Sequence, residues 1–160
     1  MFRRRRAHTD PVPDPDFGVR VVSVVRDDEP APPSAGDAWR ELHAIVAEAV
    51  IWQDAAEELL AAISRREPLA ELAPRGGPLI RSFCRLRARL PESDDPELRR
   101  ITDVLGPVFD HHALMLSSSL DMLAVDWRSE RLVEELERIT GLGAPAARLE
   151  GIRAELVAAS

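Results

Sequence analysis

No lysine, asparagine or tyrosine occurs among the 160 residues, and cysteine occurs once. Without lysine there is no side-chain amine for Schiff-base or lysine general-base chemistry, and no lysine-bearing phosphate loop can form. A single thiol excludes an internal disulfide and a cysteine-based metal knot. Aromatic residues make up only 4% of the chain. No run of 18 apolar residues is present, which excludes a transmembrane helix of ordinary length. Glycine-rich phosphate loops and dinucleotide fingerprints are also missing. All 21 basic residues are therefore arginine. The three absent residue types have A/T-rich codons, so the bias reads as a high-GC bacterial genome, with selection against lysine modification as the other reading.

Net charge is −7. Residues 1–36 balance six arginines against six acids, so the whole imbalance lies in residues 37–160. An acidic body suits a cytoplasmic protein and disfavours binding to a phosphate backbone. The opening Met1-Phe2-Arg3-Arg4-Arg5-Arg6 resembles the charged region of a secretory signal, but Pro11, Pro13, Pro15 and their neighbouring aspartates replace the apolar stretch that should follow. Secretion is not expected. Acids nearby offset the four arginines, which read as a solvated terminus rather than a tether to nucleic acid or a membrane surface.

Residues 1–36 read as a flexible tail, with proline- and aspartate-rich segments on either side of one apolar island. That island, residues 17–26, carries Phe17, Val19, Val21, Val22, Val24 and Val25 and has the length and β-branched character of one short strand. A lone strand is unstable in water, so the segment must be covered by its own body, by a second copy or by a partner's sheet edge.

Residues 37–160 read as an all-α, antiparallel bundle of four or five helices. Leu42, Ile45, Ala49, Trp52, Ala56, Leu59 and Ile63 alternate spacings of three and four, which predicts a helix of nearly thirty residues. Asp37 is the expected N-cap. Gly77-Pro78 is expected to open a second helix, with Leu79, Phe83, Leu86 and Leu90 inward. Asp95-Pro96-Glu97 supplies a cap, a first-position proline and a first-turn acid for a third. Gly106-Pro107 should kink that helix or end it. The stretch after Pro107 is apolar nearly all round and is expected to be central, with Ser117, Ser118 and Ser119 admitting a close neighbour and bonding back to the backbone. Arg128–Thr140 has a helical pattern, and Gly143-Ala144-Pro145 opens a last helix.

Four chemical constellations arise. Asp110, His111, His112 and His43 are weak candidates for a divalent metal, but the paired Glu-x-x-His of di-metal bundles is absent, so no metal and no cofactor are expected. Ser117–Ser119 beside His112 lack the elbow and oxyanion hole of a serine hydrolase. Asp121, inside the apolar helix, is expected to be buried and paired with an arginine. Arg81, Arg85 and Arg89 fall one turn apart and are candidates for anion binding. Cys84, beside Phe83, reads as a small core residue. The expected function is a non-enzymatic protein–protein interaction module, an adaptor or small regulatory subunit. Its expected partner is another protein or a second copy, through residues 17–26, without membrane insertion. The alternatives are a small-molecule or metal-binding bundle and a nucleic-acid-associated regulator.

Overall fold

A computed structural model describes residues 34–126, 134 and 141–159. The chain divides into two units, Met1–Pro32 and Pro33–Ser160. The first unit, with the apolar island at 17–26, lies outside the described residues, as does most of Arg128–Thr140. Among the described residues the structure is all helical: α1 (Ala35–Ser64), α2 (Leu69–Arg89), α3 (Pro96–Asp126) and α4 (Ala144–Ala158). Connections of four and six residues join α1 to α2 and α2 to α3, so these helices turn back on one another as bundle neighbours. α2 packs most extensively on α3, and α4 packs on both α1 and α3.

α1 starts three residues earlier than an N-cap at Asp37 predicts. Ser34 is the N-cap: its Oγ accepts from the Asp37 amide at 3.2 Å, and its hydroxyl donates to Asp37 Oδ2 at 2.6 Å. Serine and aspartate are equally good caps, and the pair divides the work. Asp37 sits in the first turn, where the helix dipole favours its charge, and the Ser34 hydroxyl and then Arg40 hold its carboxyl below the usual carboxylate range.

The end of α1 is closed without glycine. The Arg66 amide donates to Ile63 O at 2.9 Å and the Glu67 amide to Ala62 O at 3.1 Å, the paired bonds of a Schellman cap. That cap puts Arg66 at φ 59°, where a Cβ is crowded.

α2 begins at Leu69, eight residues before Gly77, and runs unbroken through Pro74 and Pro78. α3 likewise continues past Pro107 and does not end there. Proline removes one amide donor and leaves the carbonyl four residues earlier unpaired. Here those carbonyls belong to Ala70, Pro74 and Asp103, and all three residues are exposed, as are the prolines themselves. At these surface positions the lost bonds are not sealed inside the protein, so the apolar stripes can carry the helices through. The Asp95-Pro96-Glu97 cap forms as read: Asp95 Oδ1 accepts from the amides of Glu97 at 2.9 Å and Leu98 at 3.2 Å. Its other oxygen accepts from the Trp39 indole at 3.2 Å, tying the start of α3 to α1. Gly143, at φ 65°, leads into α4 with Pro145 in the first turn.

The core is built from the predicted stripes. Leu42, Ile45 and Leu59 of α1, Phe83 of α2, Phe109 of α3 and Leu149 of α4 are fully buried. Each large side chain contributes about 1.5–3 kcal/mol by leaving water. Gly76 allows the closest approach: a Cβ there would lie 2.3 Å from Leu120 Cδ1 of α3 and 3.4 Å from Leu59 Cδ2 of α1.

α3 departs from the all-round burial its composition suggests. Asp103, Pro107, Asp110, Leu114, Ser118 and Asp121 form an outward stripe at three- and four-residue spacing, and all are exposed. Asp121 is therefore a solvated carboxylate and needs no buried arginine. Leu114, 64% exposed, disguises the stripe. Cys84 is exposed too, because it lies more than a third of a turn away from the inward line of Leu79, Phe83 and Leu86.

Arg66→Gly is expected to stabilise the protein by about 0.5–1 kcal/mol, since glycine adopts the left-handed conformation without crowding but loses more chain entropy. Urea unfolding monitored by circular dichroism measures it; an unchanged or lower midpoint contradicts the strained-cap description.

Candidate functional site

The fully buried His112 is the centre of a polar contact that crosses the bundle. Its place on the inward line of Leu105, Val108 and Leu116 brings the ring from α3 toward α1. Nδ1 lies 2.6 Å from Val108 O, and Nε2 lies 3.2 Å from the side-chain amide of Gln53 on α1. The Phe83 ring of α2 packs on the imidazole, with centroids 4.9 Å apart. Three helices thus meet at one ring.

The Val108 carbonyl sets which ring nitrogen carries the hydrogen, and burial sets the charge. A carbonyl only accepts, so Nδ1 carries the hydrogen and donates to Val108 O. Burial disfavours the charged ring and pushes the His112 pKa down, with the neighbouring His111 adding to the effect against the raising influence of Val108 O. In the neutral ring Nε2 can only accept, so a hydrogen bond to Gln53, whose Oε1 makes the 3.2 Å contact, requires a half-turn of the side-chain amide that brings its nitrogen to the ring. Both imidazole nitrogens are then used inside the protein, and neither is free to ligate a metal or move a proton.

The other metal candidates are not assembled. Asp110 is exposed and pairs with Arg87 at 3.5 Å. His111 is half-buried, its ring edge-on to His112 at 6.2 Å. His43 is half-buried on α1. Among the described residues no three His, Cys, Asp or Glu side chains cluster closely enough to hold a metal ion. The serine run also differs from its reading. Ser119 is buried, but its hydroxyl has no hydrogen-bond partner among the described residues, so it does not bond back to the helix.

A second feature is an open groove of about 600 Å³ between α1 and α2. Trp52 lines it from α1, and Pro78, Arg81, Ser82, Cys84 and Arg85 line it from α2. Of the three arginines read as an anion site, Arg89 is already committed. It donates to Glu41 at 2.8 Å and to Glu48 at 2.6 Å, and these carboxylates hold its guanidinium more firmly protonated than usual. Arg85 donates to Ser82 Oγ at 3.2 Å. Arg81 forms no ion pair among the described residues. The Trp52 indole donates to Glu48 at 3.2 Å, and this bond, followed by Arg89, lowers the Glu48 pKa. A third depression, of about 910 Å³, is polar and lies at the α2–α3 turn beside Arg87, Asp94 and Arg99.

Sequence reasoning identified the inward place of His112 but missed Gln53. The signal was available: the chain's only glutamine falls on the buried line between Ala49 and Ala56. Comparison with family models, with curated proteins and with solved structures finds no match to this chain.

Gln53→Leu is expected to cost about 1–3 kcal/mol, because Nε2 of His112 is left buried without a donor. Adding His112→Phe should recover part of that loss, and a chemical-denaturation cycle of the four proteins measures the coupling. Additive losses would contradict a direct contact. The pH dependence follows from the lowered His112 pKa. The unfolded ring takes up a proton near 6.5 and the folded ring only at lower pH, so this stability is complete above about 6.5 and lost as pH falls through the interval to the folded value. His112→Phe should flatten that part of the acid limb of a stability–pH profile.

Proposed function

We propose that the chain is a non-enzymatic protein–protein interaction module, an adaptor or small regulatory subunit of a cytoplasmic assembly in a bacterium. The observation that carries this reading is the apolar island in residues 17–26. Phe17, Val19, Val21, Val22, Val24 and Val25 place six large apolar side chains in ten residues, between segments rich in proline and acid. Left in water, each forgoes about 1.5–3 kcal/mol of burial, and such a segment is an aggregation hazard. Arg20, Arg26, Asp27 and Asp28 act as gatekeepers without removing the apolar surface. A partner's sheet edge or a second copy supplies the cover, by main-chain pairing with alternate side chains entering pockets.

The described helices support this reading by how they use their polar groups. His112 and Gln53 serve the interior, and Glu41, Glu48 and Arg89 join α1 to α2. Arg100 reaches Glu155 at 3.0 Å and links α3 to α4. What weighs against a metal- or ligand-binding bundle is that His112 and Gln53 satisfy each other. What weighs against a nucleic-acid regulator is the acidic body.

Val19→Asp with Val21→Asp, on one face of an extended segment, should abolish capture of the main partner or the dimer while helix content stays unchanged. Removal of residues 1–33, which keeps the Ser34 cap, should do the same. Circular dichroism, light scattering and pull-down together read the outcome. A variant that keeps its oligomeric state and every partner contradicts the proposal.

A further inference from the structure

α2 carries five arginines against one acid, a charge of +4 in a chain whose total is −7. Such a helix is conspicuous, and its own neighbours do not use all of it. Arg87 is held by Asp110, and Arg89 by Glu41 and Glu48. Arg75 and Arg81 are exposed and form no ion pair among the described residues, and Arg85 is exposed with Ser82 Oγ as its hydrogen-bond partner. Arg75, Pro78, Ser82 and Arg85 follow one another at spacings of three and four, so they share one stripe. That stripe borders the groove whose other wall is Trp52. The exposed Ile51 and half-buried Ala55 adjoin Trp52 on α1.

We propose that this groove binds an extended acidic segment of a partner protein, with carboxylates on Arg81 and Arg85 and an apolar side chain between Trp52 and Pro78. The spacing matches. Residues i and i+4 on a helix have Cβ atoms about 5–6 Å apart. Carboxylates on alternate residues of an extended strand point the same way and lie about 7 Å apart. Arg81 and Arg85 therefore meet two acids separated by one residue, each through charge-assisted hydrogen bonds. Arg75 lies ten residues before Arg85, about 15 Å along the helix, so about five residues of extended chain span the stripe. The acidic edge of the groove favours a peptide over nucleic acid because a peptide can set its acids on Arg81 and Arg85 and a neutral residue beside Glu48, whereas a nucleic-acid strand carries a charge at every nucleotide. Glu48 accepts from the Trp52 indole and so places a carboxylate at the ring's edge, while Glu41 lies about two turns earlier on α1. A phosphate backbone stacking its bases on Trp52 would meet that charge. The proposal rests on the protein-interaction reading but uses a surface other than residues 17–26.

The test is fluorescence anisotropy with the full-length protein at about 50 mM salt, where exposed charges are less screened than in the cell. The probe is a labelled peptide with the core Asp-Leu-Asp-Pro-Leu-Glu. Its controls are the same peptide with Asn and Gln for the acids, and a labelled oligothymidylate. Saturable binding of the acidic peptide is expected. It should weaken by at least about tenfold both for the amide peptide and for Arg81→Ser with Arg85→Ser, whose exposed positions leave the fold intact. Absence of saturation, equal binding of acidic and amide peptides, equal binding by the double variant, or tighter binding of the oligonucleotide would each overturn the proposal. A negative titration leaves the interaction reading standing, since that reading is tested through Val19 and Val21.

Discussion

One buried hydrogen-bonded pair sets the terms for the rest of the bundle. Apolar stripes bring α1, α2 and α3 together, but hydrophobic contact is non-directional and tolerates sliding. The His112–Gln53 contact does not tolerate it. A shift of α1 against α3 by one turn would leave an imidazole nitrogen and a side-chain amide buried without partners, a loss of the order of 1–3 kcal/mol for each. Phe83 closes the third side of the ring, so α2 is bound to the same register. A single polar contact in an apolar core is a recognised way to select one packing among several. That role also fits the chemistry of the ring: an imidazole with both nitrogens in contact inside the protein and its charged form disfavoured is a structural group.

The surface is organised by the outward stripes. Pro74, Pro78 and Pro107 sit where lost backbone bonds meet water, and the helices stay continuous. Their continuity gives α2 its length, and its length sets Arg75, Arg81 and Arg85 in one basic field beside an acidic α1. Ion pairs between exposed groups, such as Arg89 with Glu41 and Glu48, add little stability singly. They do divide the arginines of α2 into those spent on the neighbouring helix and those left facing solvent.

Much of this architecture is legible in the residue order. The three-four spacing of Leu42 to Ile63 and the Asp95-Pro96-Glu97 cap specify α1 and the start of α3, because both depend on interactions within a turn or two of chain. The illegible parts depend on what the rest of the fold does. Gly77-Pro78 reads as a helix start, but tertiary burial of Leu72, Gly76 and Leu79 carries α2 through it. Asp121 and Cys84 read as interior because their neighbours in sequence are apolar, yet each points away from its helix's inward line. At the candidate sites, the row Arg81, Arg85 and Arg89 was visible as spacing. Only the fold shows that Arg89 faces Glu41 and Glu48 while Arg81 faces solvent, because those glutamates come from another helix more than forty residues away.

The most direct test of the central contact is long-range nitrogen–proton NMR of the histidine rings in the full-length protein, recorded from about pH 8 down to about pH 6, around the ordinary histidine range. One ring, assigned to His112 by its loss in His112→Phe, should carry its hydrogen on Nδ1 and none on Nε2 when neutral, and should gain its second proton at lower pH than an exposed histidine. A His112 ring with its hydrogen on Nε2, or one that gains its second proton near 6.5 as an exposed histidine does, would contradict the account.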